Sequence, residues 1–145
     1  MAVVFRDALD ASDKARLPIT LQSFPHGACG DAALLLGKFL EHHGFGLFDY
    51  MLGQRENRSH AWLQEGGLVV DIAGDQFADN NQKVFVKYGS AWHSSFHAEA
   101  LHVADYEIYD DYTEDTLSKA YQYVISLVPE AQRPTLHSTG TLANR

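Results

Sequence analysis

A chain of 145 residues with 46% apolar and 12% aromatic side chains is long enough for one domain with a real core. Its formal charge of −8, with 11 basic and 19 acidic residues, is the wrong balance for a surface that tracks phosphates, so no nucleic-acid partner is expected. The single cysteine excludes an internal disulfide, no segment nears the ~18 apolar residues of a membrane span, and Met1-Ala-Val-Val-Phe-Arg-Asp7 lacks a signal-peptide pattern; a cytoplasmic protein with no membrane partner is expected.

In chain order, Arg6 to Arg16 has helix-compatible composition and stops before Pro18. Thr20 to Ala28, with Pro25 and Gly27, reads as a turn-rich loop. A helix is expected from about Gly30 to His43, with Ala33, Leu36 and Leu40 on one face and Gly44 as its C′ residue. Phe48 to Leu52 reads as a strand, and His60 to Gln64 and Leu68 to Ile72 as a hairpin around Glu65-Gly66-Gly67. Ala73 to Gln82 reads as a polar loop and Val84 to Tyr88 as a short strand, while no element is assigned around Trp92. Tyr112 to Val128 carries apolar residues at helical spacing, with Thr113 as N-cap candidate and Pro129 as stop. Residues 1–129 thus form one domain of α+β class, with helices first, a mainly antiparallel sheet in the middle and a helix last; residues 130–145 are expected to be a mobile tail.

Cys29 carries the functional reading. A thiol is nucleophilic as thiolate, and the unpaired amides and dipole at a helix start favour that form. Gly27, Ala28 and Gly30 leave room for a substrate beside the sulfur. The Cys29 amide is one candidate oxyanion donor and the Gln22 side chain a second. Taken alone, a free cysteine is more often a small buried core residue. The hairpin supplies it with partners. A two-residue loop at Glu65-Gly66, or a four-residue loop about the same point, sets His60 opposite Asp71, Trp62 opposite Val69 and Ala61 opposite Val70. A directly opposed pair stands roughly 4.5–5.5 Å apart at Cβ, close enough for a carboxylate to orient an imidazole. A three-residue loop would put His60 opposite Ile72 instead.

The run Gly27-Ala-Cys29-Gly-Asp-Ala-Ala-Leu-Leu-Leu-Gly-Lys-Phe-Leu-Glu-His-His-Gly44 resembles the nucleophile helix of the transglutaminase-like branch of papain-like cysteine enzymes. Ser59-His60-Ala61-Trp62-Leu63 is similar to the family's His-Ala-Trp strand, and Val69-Val70-Asp71 to its aspartate strand. The likeness spans roughly Gln22 to Asp75 and implies a Cys29–His60–Asp71 triad, with the helix packed on an antiparallel sheet. The chain departs from the pattern in having Gly30 after the cysteine, and Gln22 matches the family's oxyanion glutamine only approximately. The superfamily spans proteases, transglutaminases, deamidases, amidases and acyltransferases; because nothing in the sequence indicates an amine-donor site, the expectation is a cysteine-dependent hydrolase that cleaves or deamidates an amide of a peptide, protein or small molecule through a thioester. A transglutaminase or other acyltransferase, or a peptide-binding module that keeps the fold, are the alternatives.

Other residues compete for roles. His26 is a candidate second base or lining residue, and Asp75 rivals Asp71 as the orienting carboxylate. Trp62 and Trp92 are candidate cleft walls. His93 and His97 have i, i+4 spacing and His102 follows, but no zincin glutamate lies between them; they read as surface or packing histidines. No Gly-rich phosphate loop occurs, and neither a metal nor a cofactor is expected. The acidic run Asp105 to Asp115 reads as a solvated connection, and the oligomeric state stays open.

Overall fold

Three amphipathic helices cover one face of a five-stranded sheet, the arrangement that buries a helix stripe and a sheet face together. A computed structural model describes residues 1–135. Its elements are α1 (Ala2–Ala11), α2 (Cys29–His42), β1 (Asp49–Arg55), β2 (Arg58–Glu65), β3 (Leu68–Asp71), β4 (Phe85–Tyr88), α3 (Ala91–Ser94), β5 (His97–Val103) and α4 (Asp111–Ser126). The sheet order is β4-β3-β2-β1-β5, and each neighbouring pair is antiparallel. The chain is therefore of α+β class.

The main core lies between the helices and the sheet. Phe5 and Leu9 of α1, Leu35, Leu36 and Phe39 of α2 and Leu117, Tyr121 and Val124 of α4 meet Leu63 and Val70 there. Burying each such side chain is worth about 1.5–3 kcal/mol. Gly37 lets α2 run close by: a Cβ there would lie 2.7 Å from the Ala104 carbonyl oxygen. Gly44 ends the helix at φ +82°, where the Phe45 amide donates back to Leu40 O at 3.0 Å. A second, smaller cluster of Trp62, Val69, Phe77 and Phe96 covers the other sheet face, with Trp92 of α3 packed against it. No helix among the described residues is long and apolar enough to cross a membrane.

Several expectations need correction. The first helix runs Ala2–Ala11 rather than Arg6 to Arg16: Ala2, Phe5 and Leu9 are its buried stripe, and the backbone turns extended at Ser12. The N-cap of α4 is Asp110, whose carboxylate accepts from the Thr113 amide at 2.8 Å; Thr113 lies inside the helix. An entire strand, β5, went unassigned. Its Ala and Glu residues have weak strand propensity and it is mostly exposed, so pairing with β1 rather than its own pattern defines it. Within the expected tail, Glu130–Gln132 forms a 3₁₀ turn, and Arg133 donates to Val128 O at 2.8 Å and Ser126 O at 2.9 Å across the end of α4. The rest of that tail, 136–145, lies outside the described residues.

The hairpin register also differs. β2 and β3 pair Leu63 with Val70, Gln64 with Val69 and Glu65 with Leu68 around Gly66-Gly67, two residues from the expected register. Gly66 takes φ +57°, which suits the tighter loop. A two-residue slip leaves every side chain on its expected face, because strands alternate with period two. His60 and Asp71 are therefore diagonal rather than directly opposed, a separation that long side chains bridge.

Candidate active site

The site forms where the sheet opens. The β2–β3 ladder stops at Leu63 and Val70, so Ala61 and His60 continue β2 without a β3 partner. Cys29, the first residue of α2, lies against this gap with its sulfur taking the Ala61 amide and a hydrogen bond from His60. The His60 Nε2–H donates to Asp71 Oδ2 at 2.7 Å. That leaves Nδ1 as the ring nitrogen for the sulfur. The structure thus brings together the thiol, imidazole and carboxylate named from the sequence.

The electrostatics shift the thiol down and the imidazole up. Burial raises the Cys29 pKa, but the His60 hydrogen bond and charge, the Ala61 amide and the Gln76 side chain together outweigh it, and the thiol lies below its ordinary value. Burial likewise opposes charge on His60, yet its hydrogen bonds to Asp71 and Cys29 push it up to about 9. Asp71, 3% exposed, is penalised by burial but drawn down to about 2 by hydrogen bonds from His60, His93 and the Ala73 amide. No side chain caps the first turn of α2, and Cys29 stands at its positive dipole end.

The other expected residues fall out as follows. Gln22 is exposed and its side-chain amide donates to Leu17 O at 3.0 Å, holding its own loop rather than the reaction centre. Gln76 is the glutamine beside the thiol: Nε2 stands 3.4 Å from His60 Nδ1 and 3.1 Å from Ala73 O, Oε1 accepts from the Gly27 amide at 3.4 Å, and its side chain helps to lower the Cys29 thiol. Asp75 is bound by Arg6 through two hydrogen bonds, at 2.8 and 2.9 Å, and is not the orienting carboxylate. His26 is exposed. Trp62 and Trp92 both wall the imidazole, each with its ring 5.6 Å from His60, joined by Phe77 and Phe96.

Two residues beyond the sequence reading complete the surroundings. His93 is 3% exposed, and its Nε2 lies 2.7 Å from the same Asp71 oxygen that takes His60. It is neither a surface histidine nor packing alone, whereas His97 and His102 sit on β5 away from it. The pattern Ser90-x-x-His93, a cap three residues ahead, was the available signal. Tyr50 brings its hydroxyl to within 2.8 Å of where a Gly30 Cβ would stand, which accounts for glycine after Cys29.

His60, Asp71 and His93 also present donor atoms within 4.8 Å of one another. Both imidazoles stand at hydrogen-bond distance from one carboxylate oxygen, and the other oxygen takes the Ala73 amide at 2.9 Å. A cation there would have to displace the contacts that hold His60. The void between Cys29, Ala33, Leu36, Ala61 and Ile72 is too narrow for a water molecule, and Tyr50 fills the space that Gly30 was expected to leave beside the sulfur, whereas nothing lies within 4 Å of where a Gly27 Cβ would stand. Comparison of the chain with known protein families, with curated proteins and with solved structures finds no match.

Proposed function

We propose that the protein is a cysteine-dependent amide hydrolase built on a papain-like, transglutaminase-like core and working in a reducing compartment such as the cytoplasm. The observation that carries this reading is the continuous path from Cys29 through His60 to Asp71, with the thiol shifted down and the imidazole shifted up. Cys29 Sγ attacks the carbonyl carbon, and the first-turn amides of α2 stabilise the oxyanion. The imidazolium of His60 gives its proton to the departing amine as the C–N bond breaks, leaving a thioester and neutral His60. His60 then takes a proton from water, whose oxygen attacks the thioester, and the acid departs as the thiolate and imidazolium re-form. Asp71 keeps the ring oriented and its charge stabilised throughout. An amine in place of water would make the same site a transglutaminase.

The test is intact-mass spectrometry of the protein mixed with a panel of activated esters and peptide amides. A mass increase equal to the acyl group, lost on Cys29→Ala and decaying with release of acid, supports hydrolysis. Decay only in the presence of added amine reassigns it to acyl transfer. Absence of any adduct while a peptide still binds would sink catalysis in favour of a binding module.

A further inference from the structure

The side of Asp71 facing away from Cys29 is as fully built as the side facing it. Asp71 lies at the centre of a chain of hydrogen bonds that runs past the proposed triad: Ser90 Oγ to His93 Nδ1 at 2.6 Å, and His93 Nε2 to Asp71 Oδ2 at 2.7 Å. Resting on the reading of the site above, we propose that His93 is a positioning residue, whose Nε2–H fixes the Asp71 carboxylate against His60 and whose ring is held at Nδ1 by Ser90.

The proton assignments follow from which atoms can donate. A carboxylate oxygen only accepts, so His93 Nε2 carries the proton it shares with Asp71. In a neutral ring Nδ1 is then bare and accepts the Ser90 hydroxyl proton. The Ser90 oxygen is in turn fixed by the His93 amide, which donates to it at 3.1 Å as the cap of α3. Asp71 thereby receives three donors, from His60, His93 and the Ala73 amide. A buried carboxylate with fewer donors turns or takes a proton, and either change releases the His60 ring.

The packing holds His93 in that one orientation. Its ring is walled by Trp62 and Trp92, both at 4.8 Å, and by Phe85 at 5.0 Å. All three belong to the smaller aromatic cluster. The segment carrying Ser90 and His93 therefore supports the reaction centre from the far face of the sheet, with no need to touch substrate.

The experiment reads the ring protons directly and then their consequence. Nitrogen-15 spectra of histidine-labelled protein are expected to show His93 protonated at Nε2 and hydrogen-bonded at Nδ1. In the Ser90→Ala variant, the Nδ1 signal is expected to lose its hydrogen-bond shift. Iodoacetamide alkylation of Cys29 is expected to slow about 10-fold in His93→Leu, and to return to within about 3-fold of wild type in His93→Gln, whose amide can still donate to Asp71. Near-UV circular dichroism shows whether each variant keeps its aromatic packing. A His93 Nε2 without a proton overturns the proposal. So does alkylation that is unchanged in His93→Leu, or slowed equally by Leu and Gln, which would mark packing alone. If wild-type Cys29 reacts no faster than a free thiol, the hydrolase reading fails on its own, and the ring-proton result alone decides whether His93 holds Asp71.

Discussion

Cys29→Ala changes how stability depends on pH, and counting protons gives the sign and size of the change. In the proposed ion pair, with the thiol shifted down and the imidazole up, thiolate and imidazolium hold one proton between them. Between about pH 6.5 and 8 the unfolded chain also holds one, on the thiol, with His60 neutral. The pair thus binds equal numbers of protons folded and unfolded and adds no pH slope in that window. In the alanine variant His60 still has Asp71 at 2.7 Å, so it stays raised, by less than the shift to about 9 that both anions produce. A raised imidazole stabilises the native state fully below its unfolded value near 6.5, and that stability is lost as pH climbs through the native value. The unfolding free energy of the variant therefore falls above about pH 6.5, with a limiting slope of about 1.4 kcal/mol per pH unit. The total loss is about 1.4 kcal/mol for each pH unit that separates the unfolded value from the native one. Urea unfolding of both proteins at half-unit steps across this range measures it, and the difference between them cancels the slopes of all shared groups. A difference that stays flat would refute the hold of Asp71 on a charged His60, because an unshifted imidazole in the variant binds the same protons folded and unfolded.

Asp71→Asn removes the carboxylate that raises His60 and so weakens the hold of His60 on the thiolate, and alkylation by iodoacetamide at pH 7 slows about 10-fold. Equal rate profiles for the two proteins from pH 5 to 9 would remove Asp71 from the site. Gly30→Ala places a Cβ 2.8 Å from the Tyr50 hydroxyl and costs about 1–3 kcal/mol in urea unfolding, most of it recovered by adding Tyr50→Phe. Arg6→Leu strands Asp75 and the Ile72 carbonyl, which Arg6 holds at 2.8 and 2.7 Å, and lowers stability by about 3–5 kcal/mol in the same assay. An effect under about 1 kcal/mol would mean that water replaces the guanidinium.

The nucleophile helix was legible because its signals are local. Leu35, Leu36 and Phe39 recur at helical spacing, and Gly44 stops the chain where a left-handed residue is needed. The faces of the hairpin were legible for the same reason: alternation fixes which side chains share a side, whatever the register. The register itself was not, since Glu65-Gly66 and Gly66-Gly67 are both credible two-residue loops and only the observed pairing separates them. Gln22 was chosen for its nearness to Cys29 in sequence, but Gln76, 47 positions beyond the cysteine, is brought in by the turn after β3. His93 was invisible because its role depends on docking α3 across the sheet, and β5 because its edge position leaves little hydrophobic pattern to read.

The two cores divide the labour of the site. Cys29 packs with the larger one, under the helices, while His60 and Asp71 face the aromatic cluster on the opposite side of the sheet. A complete ladder would hold these groups apart with a continuous layer of backbone. They meet because β3 ends at Asp71 and its pairing with β2 stops at Leu63, which frees the Ala61 amide for the sulfur. The chain then turns through Gly74–Gln76, and Arg6 pins that turn to α1 by gripping Ile72 O and Asp75. Gly74 has to be small there, since a Cβ would stand 3.1 Å from Asp71 Oδ2 and 2.7 Å from the Asn80 side chain. The early end of one short strand is thus what gives a thiol on one face access to an imidazole on the other, and the residues fixing that end belong to the site as much as those that line it.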